Sequence, residues 1–382
     1  MDLTPFKNCR AHKQWLFVSN DEPHYRPCCW FRTNIDAQDI TEYRDKLASL
    51  DIEKNCTYCI NMESNGGEWS PRTMFESNCG PKDLVITASF DNICNLKCVT
   101  CTPKSSSQYI SEMVDGELYE GVYSKSYFAR LGKQAPAKTE FIKSLLANSE
   151  FDYLRFELLG GEPLINPKIS EFIDWLSEQP YAKKIFLSIT TNSTTYTDKV
   201  ITYAEKFRDV GIQLSLDGIE DTFEYLRYGA SHDTMVENFN SFYALTDKLP
   251  NFFLSVNYTL SWMNSLHFYE WFNWLQTNYP NIANILITRL EAPVGYSLDV
   301  LSPSMREKIF NINNDSIVPI NQKFTDAINL YKQHMLTSYS TEFNTSLFNQ
   351  GINSMKDLDN KRNEDYTKVF EPVLALITKE LE

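Results

Sequence analysis

The sequence predicts an α/β fold: a partial, open (β/α)6 barrel of parallel strands, with a small cysteine-rich module before it and a helical tail after it. Three observations predict this. Strand-like and helix-like runs alternate about six times between residues 84 and 290. All nine cysteines lie between positions 9 and 101. Beyond residue 300 every periodic run is helical.

The strands come first. Residues 84–90, LVITASF, are rich in β-branched and aromatic side chains. The run 153–159, YLRFELL, follows and ends at Gly160-Gly161. Then come 185–190, 212–216, 252–260 and 284–290. Helical runs separate them. Residues 167–179 open with a proline suited to a first turn and place Ile169, Phe172, Ile173 and Leu176 on one face. Residues 196–208, 233–248 and 264–278 behave alike, with Asn264 expected as an N-cap. A helix is expected at 137–147. Six such units make a TIM-like barrel open on one side, and function in such folds lies at the C-terminal strand ends. A doubly wound open sheet shows the same alternation, so periodicity leaves both open. In the tail, the runs SPSMREKIF, QKFTDAINLYKQHML and TKVFEPVLALITKELE carry helical period, and 337–364 is polar. The expected boundaries are 1–82, 83–299 and 300–382.

Composition narrows the function. Hydrophobic residues make up 42% and charged residues 23%, which excludes disorder as the main state. The net charge of −14 argues against duplex nucleic acid as the main partner. No apolar run approaches the roughly 18 residues of a membrane helix. The first residues, MDLTPFKNCRAHKQW, lack an apolar signal core, so a cytoplasmic location is expected. There a disulfide framework is disfavoured, and crowded thiols read as metal ligands.

The sharpest motif is Cys94, Cys98 and Cys101, spaced C-x3-C-x2-C directly after the first barrel strand. Three thiolates on one loop suit three irons of a [4Fe–4S] cluster and leave the fourth iron open. A structural zinc site wants four protein ligands. In this triad and its place the sequence resembles the radical SAM superfamily, specifically members with a SPASM or twitch-type auxiliary cluster. The resemblance implies that the open iron chelates S-adenosylmethionine, that one electron cleaves the sulfonium, and that a 5′-deoxyadenosyl radical takes hydrogen from substrate. Thr100 departs from the family, which often has an aromatic residue before the last cysteine.

Further matches follow successive strands. Gly160-Gly161-Glu162-Pro163 resembles the family's GGEP motif, in which the carboxylate of Glu162 would accept from the methionine ammonium. Thr191-Asn192-Ser193 resembles its TN motif, and Ser215-Leu216-Asp217-Gly218 its SLDG motif. Arg227 matches an arginine that contacts the SAM carboxylate, an acid its fork suits. Asn257 is a weaker candidate for the adenosine pocket. Taken singly, GGE is a common turn and SLDG a plain strand end. Their order along the chain gives the match its weight.

The N-terminal module has few long periodic runs and needs a staple. It offers Cys9, then Cys28 and Cys29 in PCCW, then Cys56 and Cys59 in a CxxC. Glu63, Gly66 or Gly67, Ser70 and Arg72 follow, in a tract that resembles E-x-x-G-x-x-S-x-R of some twitch-type proteins. The resemblance implies a second [4Fe–4S] cluster on Cys9, Cys28, Cys56 and Cys59, with Cys29 the alternative to Cys28. A zinc site is the plain rival. Cys79 is expected as a linker residue, or else as a replacement ligand or a hydrogen-atom donor. His12 lies among these cysteines as a neighbour or an incidental residue. Glu291, past the last strand, is a candidate acid, base or orienting group, or a solvated loop carboxylate.

The resulting expectation is a radical SAM enzyme with two [4Fe–4S] clusters and S-adenosylmethionine, acting on a peptide. Its partners would include an electron donor such as flavodoxin or ferredoxin and a separate peptide-delivery protein. A small molecule or nucleotide is the alternative substrate, and an iron–sulfur or zinc binding protein the non-enzymatic alternative.

Overall fold

The computed structural model describes all residues except 1–3, 20–24, 29, 38, 65–69, 114–120, 314–317, 338–339, 341 and 382. Its strands are β1 (Trp15–Val18), β2 (Tyr25–Arg26), β3 (Asp83–Ser89), β4 (Tyr153–Leu159), β5 (Ile185–Thr191), β6 (Asp209–Ser215), β7 (Phe252–Leu260) and β8 (Asn284–Arg289). Their order in the sheet is β2-β1-β3-β4-β5-β6-β7-β8. The six expected barrel strands are β3 to β8, alternating with helices in a mostly parallel sheet. The largest shift is at β6, which begins three residues before the expected 212.

The chain forms two compact units. The first holds residues 1–94, 103–190 and 197–211; the second holds 95–102, 191–196 and 212–382.

In the first unit β3, β4 and β5 pair in parallel. Leu154, Phe156 and Leu158 of β4, and Ile185, Leu187 and Ile189 of β5, are fully buried. The helix Pro167–Ser177 starts where expected: the Asn166 side chain accepts from Lys168 N–H, and proline occupies the first turn. Its face of Ile169, Phe172, Ile173 and Leu176 is buried, each side chain contributing about 1.5–3 kcal/mol. The N-terminal residues do more than the sequence suggested. Strand β1 pairs in parallel with β3, Trp15 beside Val85 through Val18 beside Ala88. The segment therefore extends the sheet and shares its compact unit. Lys138, on the helix Ala135–Ala147, is fully buried, and its ammonium donates to Ser19 O (2.6 Å) and Ser89 O (3.2 Å). It thus ties the C-terminal ends of β1 and β3 together.

In the second unit β7 and β8 pair in parallel. The helix after β7 begins at Phe268, and Asn264 is not its N-cap. Instead the buried Asn264 amide accepts from Ser261 N–H (2.8 Å) and donates to Asp217 O (2.9 Å) and Thr259 O (3.0 Å). Three backbone groups at strand ends outcompete a helix cap for this side chain. The tail is helical, as its period implies. The polar stretch near 350 forms its longest helix, Thr345–Arg362, capped by the Asn344 side chain and closed by Asn363 at φ 56°. Gly351 of that helix packs on the Gly295 backbone so closely that a Cβ at Gly351 would meet Gly295 O at 2.4 Å. Helix Gln322–Leu336 covers β8: the His334 ring donates to Ile287 O at 2.9 Å. Tyr331 stacks on Phe268 with centroids 3.9 Å apart. Among the described residues no helix is long and apolar enough to cross a membrane.

Candidate functional site

The motif residues all follow strand C-termini. Cys94 lies five residues beyond the end of β3, and Gly160 directly follows β4. Thr191 ends β5 and Ser215 ends β6. Loops here can approach a ligand while the sheet holds them still.

In the first unit the segment Asp91–Cys94 is clamped from several sides. Asp91 accepts from its own loop at Ile93 N–H (3.0 Å) and from Asn166 Nδ2 (2.6 Å). Burial pushes the Asp91 carboxyl up, and these hydrogen bonds, with Lys138 nearby, oppose the push. Asn92 Nδ2 donates to Pro103 O and Phe128 O. Ser107 N–H donates to Asn92 O at 2.6 Å. The Gly160-Gly161 turn rests on this segment. Both glycines have positive φ, and a Cβ at Gly161 would meet Ile93 O at 2.3 Å. No other residue fits there. The next residue, Glu162, donates its N–H to Ile93 O at 2.7 Å. Its buried side chain accepts from Leu164 N–H, and Pro163 is buried beside it. The glycine motif therefore sets the backbone that leads into Cys94.

In the second unit Cys98 and Cys101 sit on one turn, where Cys101 N–H donates to Cys98 O at 2.9 Å. The strip 97–99 runs beside 226–228: Lys97 N–H donates to Tyr228 O (3.0 Å) and Val99 N–H to Leu226 O (2.8 Å). This sets Cys98 alongside Arg227. The Arg227 guanidinium donates to Asp217 Oδ2 at 2.6 Å, and Asp217 Oδ1 accepts from Thr259 N–H at 2.7 Å. Both side chains are buried. The Arg227 Nε–H has no partner among the described residues. A hydrogen bond with Cys101, then burial, raises the Cys98 thiol well above its usual range. Burial works against the Arg227 charge, but Asp217 and the two nearby cysteines hold it on. Asn95, between the first two cysteines, joins the TN motif. Asn192 Nδ2 donates to Asn95 Oδ1 (2.8 Å), and Asn95 Nδ2 donates to Thr194 Oγ1 (2.9 Å). Ser193 takes a left-handed φ of 69°. Asn257 is held by Thr288 Oγ1 at 3.1 Å. Sequence reasoning missed Asn95 and Thr194; the place of Asn95 inside the cysteine loop was the available signal.

Cys9, Cys28, Cys56 and Cys59 all line one small pocket in the first unit, with Phe6, His12, Trp15 and Arg72. The four residues expected as a second ligand set are thus brought together from three separate stretches. Among the described residues none of the four is in a disulfide. Burial pushes Cys9 up to about 11 and Cys56 up to about 12, and raises Cys59. Neighbouring thiols add to the rise in Cys9 and Cys56. Such sulfurs favour the thiolate only against a cation. His12 Nε2 lies 3.7 Å from Cys56 Sγ. Arg72 donates to Glu63 Oε2 (2.7 Å) and Glu76 Oε2 (2.8 Å), and Ser70 Oγ donates to Glu63 Oε1 (2.5 Å). The expected Glu63, Ser70 and Arg72 are therefore one hydrogen-bonded group, of which Arg72 lines the pocket. Gly66, Gly67 and Cys29 lie outside the described residues. Among the described residues no three His, Cys, Asp or Glu side chains converge on a single metal ion.

Two expected site residues stand apart. Cys79 ends the helix Pro71–Asn78, ahead of β3, whereas Cys94 follows the other end of that strand. Seven residues at about 3.3 Å each put roughly 20 Å between the strand's ends, too far for direct hydrogen-atom transfer. The Cys79 side chain packs with Trp15 and Cys28 against Cys9, Ala11, Phe75 and Val85, and it does not line the four-cysteine pocket. Glu291 is exposed, two residues past β8.

Comparison with known proteins matches residues 89–257 to the family model of the radical SAM superfamily. No curated protein matches the chain by sequence. Among solved structures, native anSMEcpe with bound AdoMet and Cp18Cys peptide is 16% identical at a TM-score of 0.40. That match covers 60% of this chain and 57% of that one, so it spans less than two thirds of the solved protein. SuiB of Streptococcus suis bound to S-adenosylmethionine is 16% identical at a TM-score of 0.39, over 72% and 57% of the two chains. SuiB bound to precursor peptide SuiA is 15% identical at 0.38, over 78% and 69%.

Proposed function

We propose that the chain, whose residues 89–257 form a radical SAM domain, is an enzyme that cleaves S-adenosylmethionine reductively and takes hydrogen from a peptide. The observation that carries the reading is the order of its motifs: the cysteine triad, GGEP, TNS and SLDG each follow a successive strand C-terminus. When bound, a [4Fe–4S] cluster with S-adenosylmethionine supplies the electron and the 5′-deoxyadenosyl radical.

The residues fit that group. Cys94, Cys98 and Cys101 would hold three irons. The unpartnered Nε–H of Arg227, buried beside Cys98 and Cys101, suits an anionic neighbour of the kind a thiolate-ligated cluster presents. Gly160 and Gly161 bring backbone, and Glu162 a carboxylate, to the loop that carries Cys94. The Asn95–Asn192–Thr194 hydrogen bonds hold the cysteine loop against the TN motif. Asp217 orients Arg227 and holds its charge.

Replacing Arg227 separates two roles for it. Arg227→Gln leaves Asp217 buried without its cation, a change on the order of 3–5 kcal/mol in stability. It also removes positive charge beside two cluster ligands, so the midpoint potential is expected to fall in an EPR-monitored titration. Arg227→Lys is expected to restore most of the potential. If the potential is unmoved and only the KM for S-adenosylmethionine rises, the arginine serves the SAM carboxylate alone.

The four-cysteine pocket is proposed to hold the second [4Fe–4S] cluster, supported by the place of all four cysteines in the lining of one pocket. Zinc is the second reading, and metal analysis decides between them. A peptide substrate is supported by the resemblance of the N-terminal cysteine pattern to twitch-type relatives, many of which modify peptides. An electron donor such as flavodoxin or ferredoxin, and a separate delivery protein, belong to the same proposal.

The test is anaerobic incubation with S-adenosylmethionine and dithionite, against a pool of short peptides and a pool of metabolites. The expected result is 5′-deoxyadenosine that rises with peptides, together with a mass change in one of them. A rise with metabolites alone would replace the peptide by a small molecule. No 5′-deoxyadenosine with either pool would favour a binding protein.

A further inference from the structure

We propose that the first unit carries a second ligand site, for an anion with an apolar body, sharing a wall with the four-cysteine pocket. The proposal stands independently of the radical reading. A cavity of about 570 Å3 opens there, within the roughly 300–1,000 Å3 of small-molecule sites. Its floor is apolar: Leu16, Ile40, Leu47, Leu84 and Leu145. Each comes from a different part of the unit, namely β1, the two ends of helix Ile40–Ala48, β3 and helix Ala135–Ala147. An opening left among converging elements is a built concavity, unlike one bare helix face.

Charge selects the occupant. Lys7, Lys13 and Arg44 line the cavity, and among the described residues no acidic side chain does, although the chain as a whole carries a net charge of −14. All three cations are exposed, so their stems extend the apolar wall while their heads stay wet at the mouth. An apolar body with one anionic end, a carboxylate on an acyl or aromatic group, meets both features: the body covers the floor and the acid reaches the cations. A neutral apolar ligand would leave the cations unused, and a small inorganic anion would leave the floor uncovered.

The position of the cavity gives the ligand a consequence. His12 and Trp15 line this cavity and also the four-cysteine pocket. His12 Nε2 is 3.7 Å from Cys56 Sγ on the far side, and Trp15 stacks on Phe75 with centroids 5.3 Å apart. An occupant therefore touches the wall that shapes the cysteine site.

The test uses two fluorescent probes on the full-length, metal-loaded chain: 8-anilinonaphthalene-1-sulfonate and its uncharged relative N-phenyl-1-naphthylamine. The sulfonate is expected to bind at one site and to be displaced by decanoate. Lys13→Gln with Arg44→Gln is expected to weaken the sulfonate about tenfold, the size of a lost charge-assisted contact, and to leave the neutral probe unchanged. Both residues are exposed, so this variant keeps its fold. Leu47→Trp, which fills the floor, is expected to weaken both probes while unfolding stays cooperative. Equal affinity for the sulfonate in the unsubstituted chain and in the double variant would overturn the anion assignment. Multiple weak sites with no decanoate displacement would overturn the site itself.

Discussion

Chain carrying Cys94→Ala, Cys98→Ala and Cys101→Ala together, purified without oxygen, is expected to form no 5′-deoxyadenosine. If the proposed second cluster is present, it is also expected to retain about four of about eight irons. The loss should be complete. The three thiols are the only cysteines of residues 89–257, the stretch that matches the radical SAM family model, so nothing within it can replace them as sulfur ligands. The fold should survive. The triad lies on loop residues past β3, while fully buried strand residues such as Ile86, Phe156 and Leu187 make the core and are untouched. The Arg227–Asp217 pair also persists, so no buried charge is orphaned by the change. Retained iron with retained product would sink the assignment of the triad. Zinc in place of iron, in both proteins, would sink the radical reading altogether.

What the sequence revealed and what it hid divide along a physical line. The six barrel strands were legible because alternation and β-branched runs are local signals, and β4 and β7 fall at their expected residues. The cysteine motif was legible because three cysteines sit within eight residues. Strand β1 was not: four residues after a short helical turn carry no period, and its partner β3 lies about seventy residues on. The placement of Arg227 beside Cys98 was hidden too, since two backbone hydrogen bonds across a long separation create it. Asn264 misled because a capping residue type before a helical run is a local cue. The competing hydrogen bonds to Ser261, Asp217 and Thr259 appear only in the fold. The cavity bounded by Leu16, Leu84 and Leu145 has no sequence signature, because each leucine reads as ordinary core of its own element.

The four-cysteine pocket can be tested apart from the triad by Cys56→Ala with Cys59→Ala. Iron is expected to fall from about eight to about four per chain, with the remaining signal that of the triad cluster. The stability effect should be large. Cys9 and Cys28 belong to stretches distant from Cys56 and Cys59, so a metal centre on all four would tie the N-terminal segment together, as small metal-stapled modules require. Structural metal sites of this type are worth roughly 10–16 kcal/mol in the zinc case, most of it realised as folding free energy. Without a metal, the segment would keep the Arg72–Glu63–Ser70 hydrogen bonds and the Trp15–Phe75 stack, which are too few to replace it. The pairing of β1 with β3 still anchors the segment at one edge. Loss is therefore expected first as protease cleavage within residues 1–80, at a temperature where the triad cluster persists. A zinc site would give a different result: one zinc lost per chain, iron unchanged, and the same early cleavage. Unchanged metal and unchanged cleavage would mean that the four thiols meet only as packing, with no metal between them.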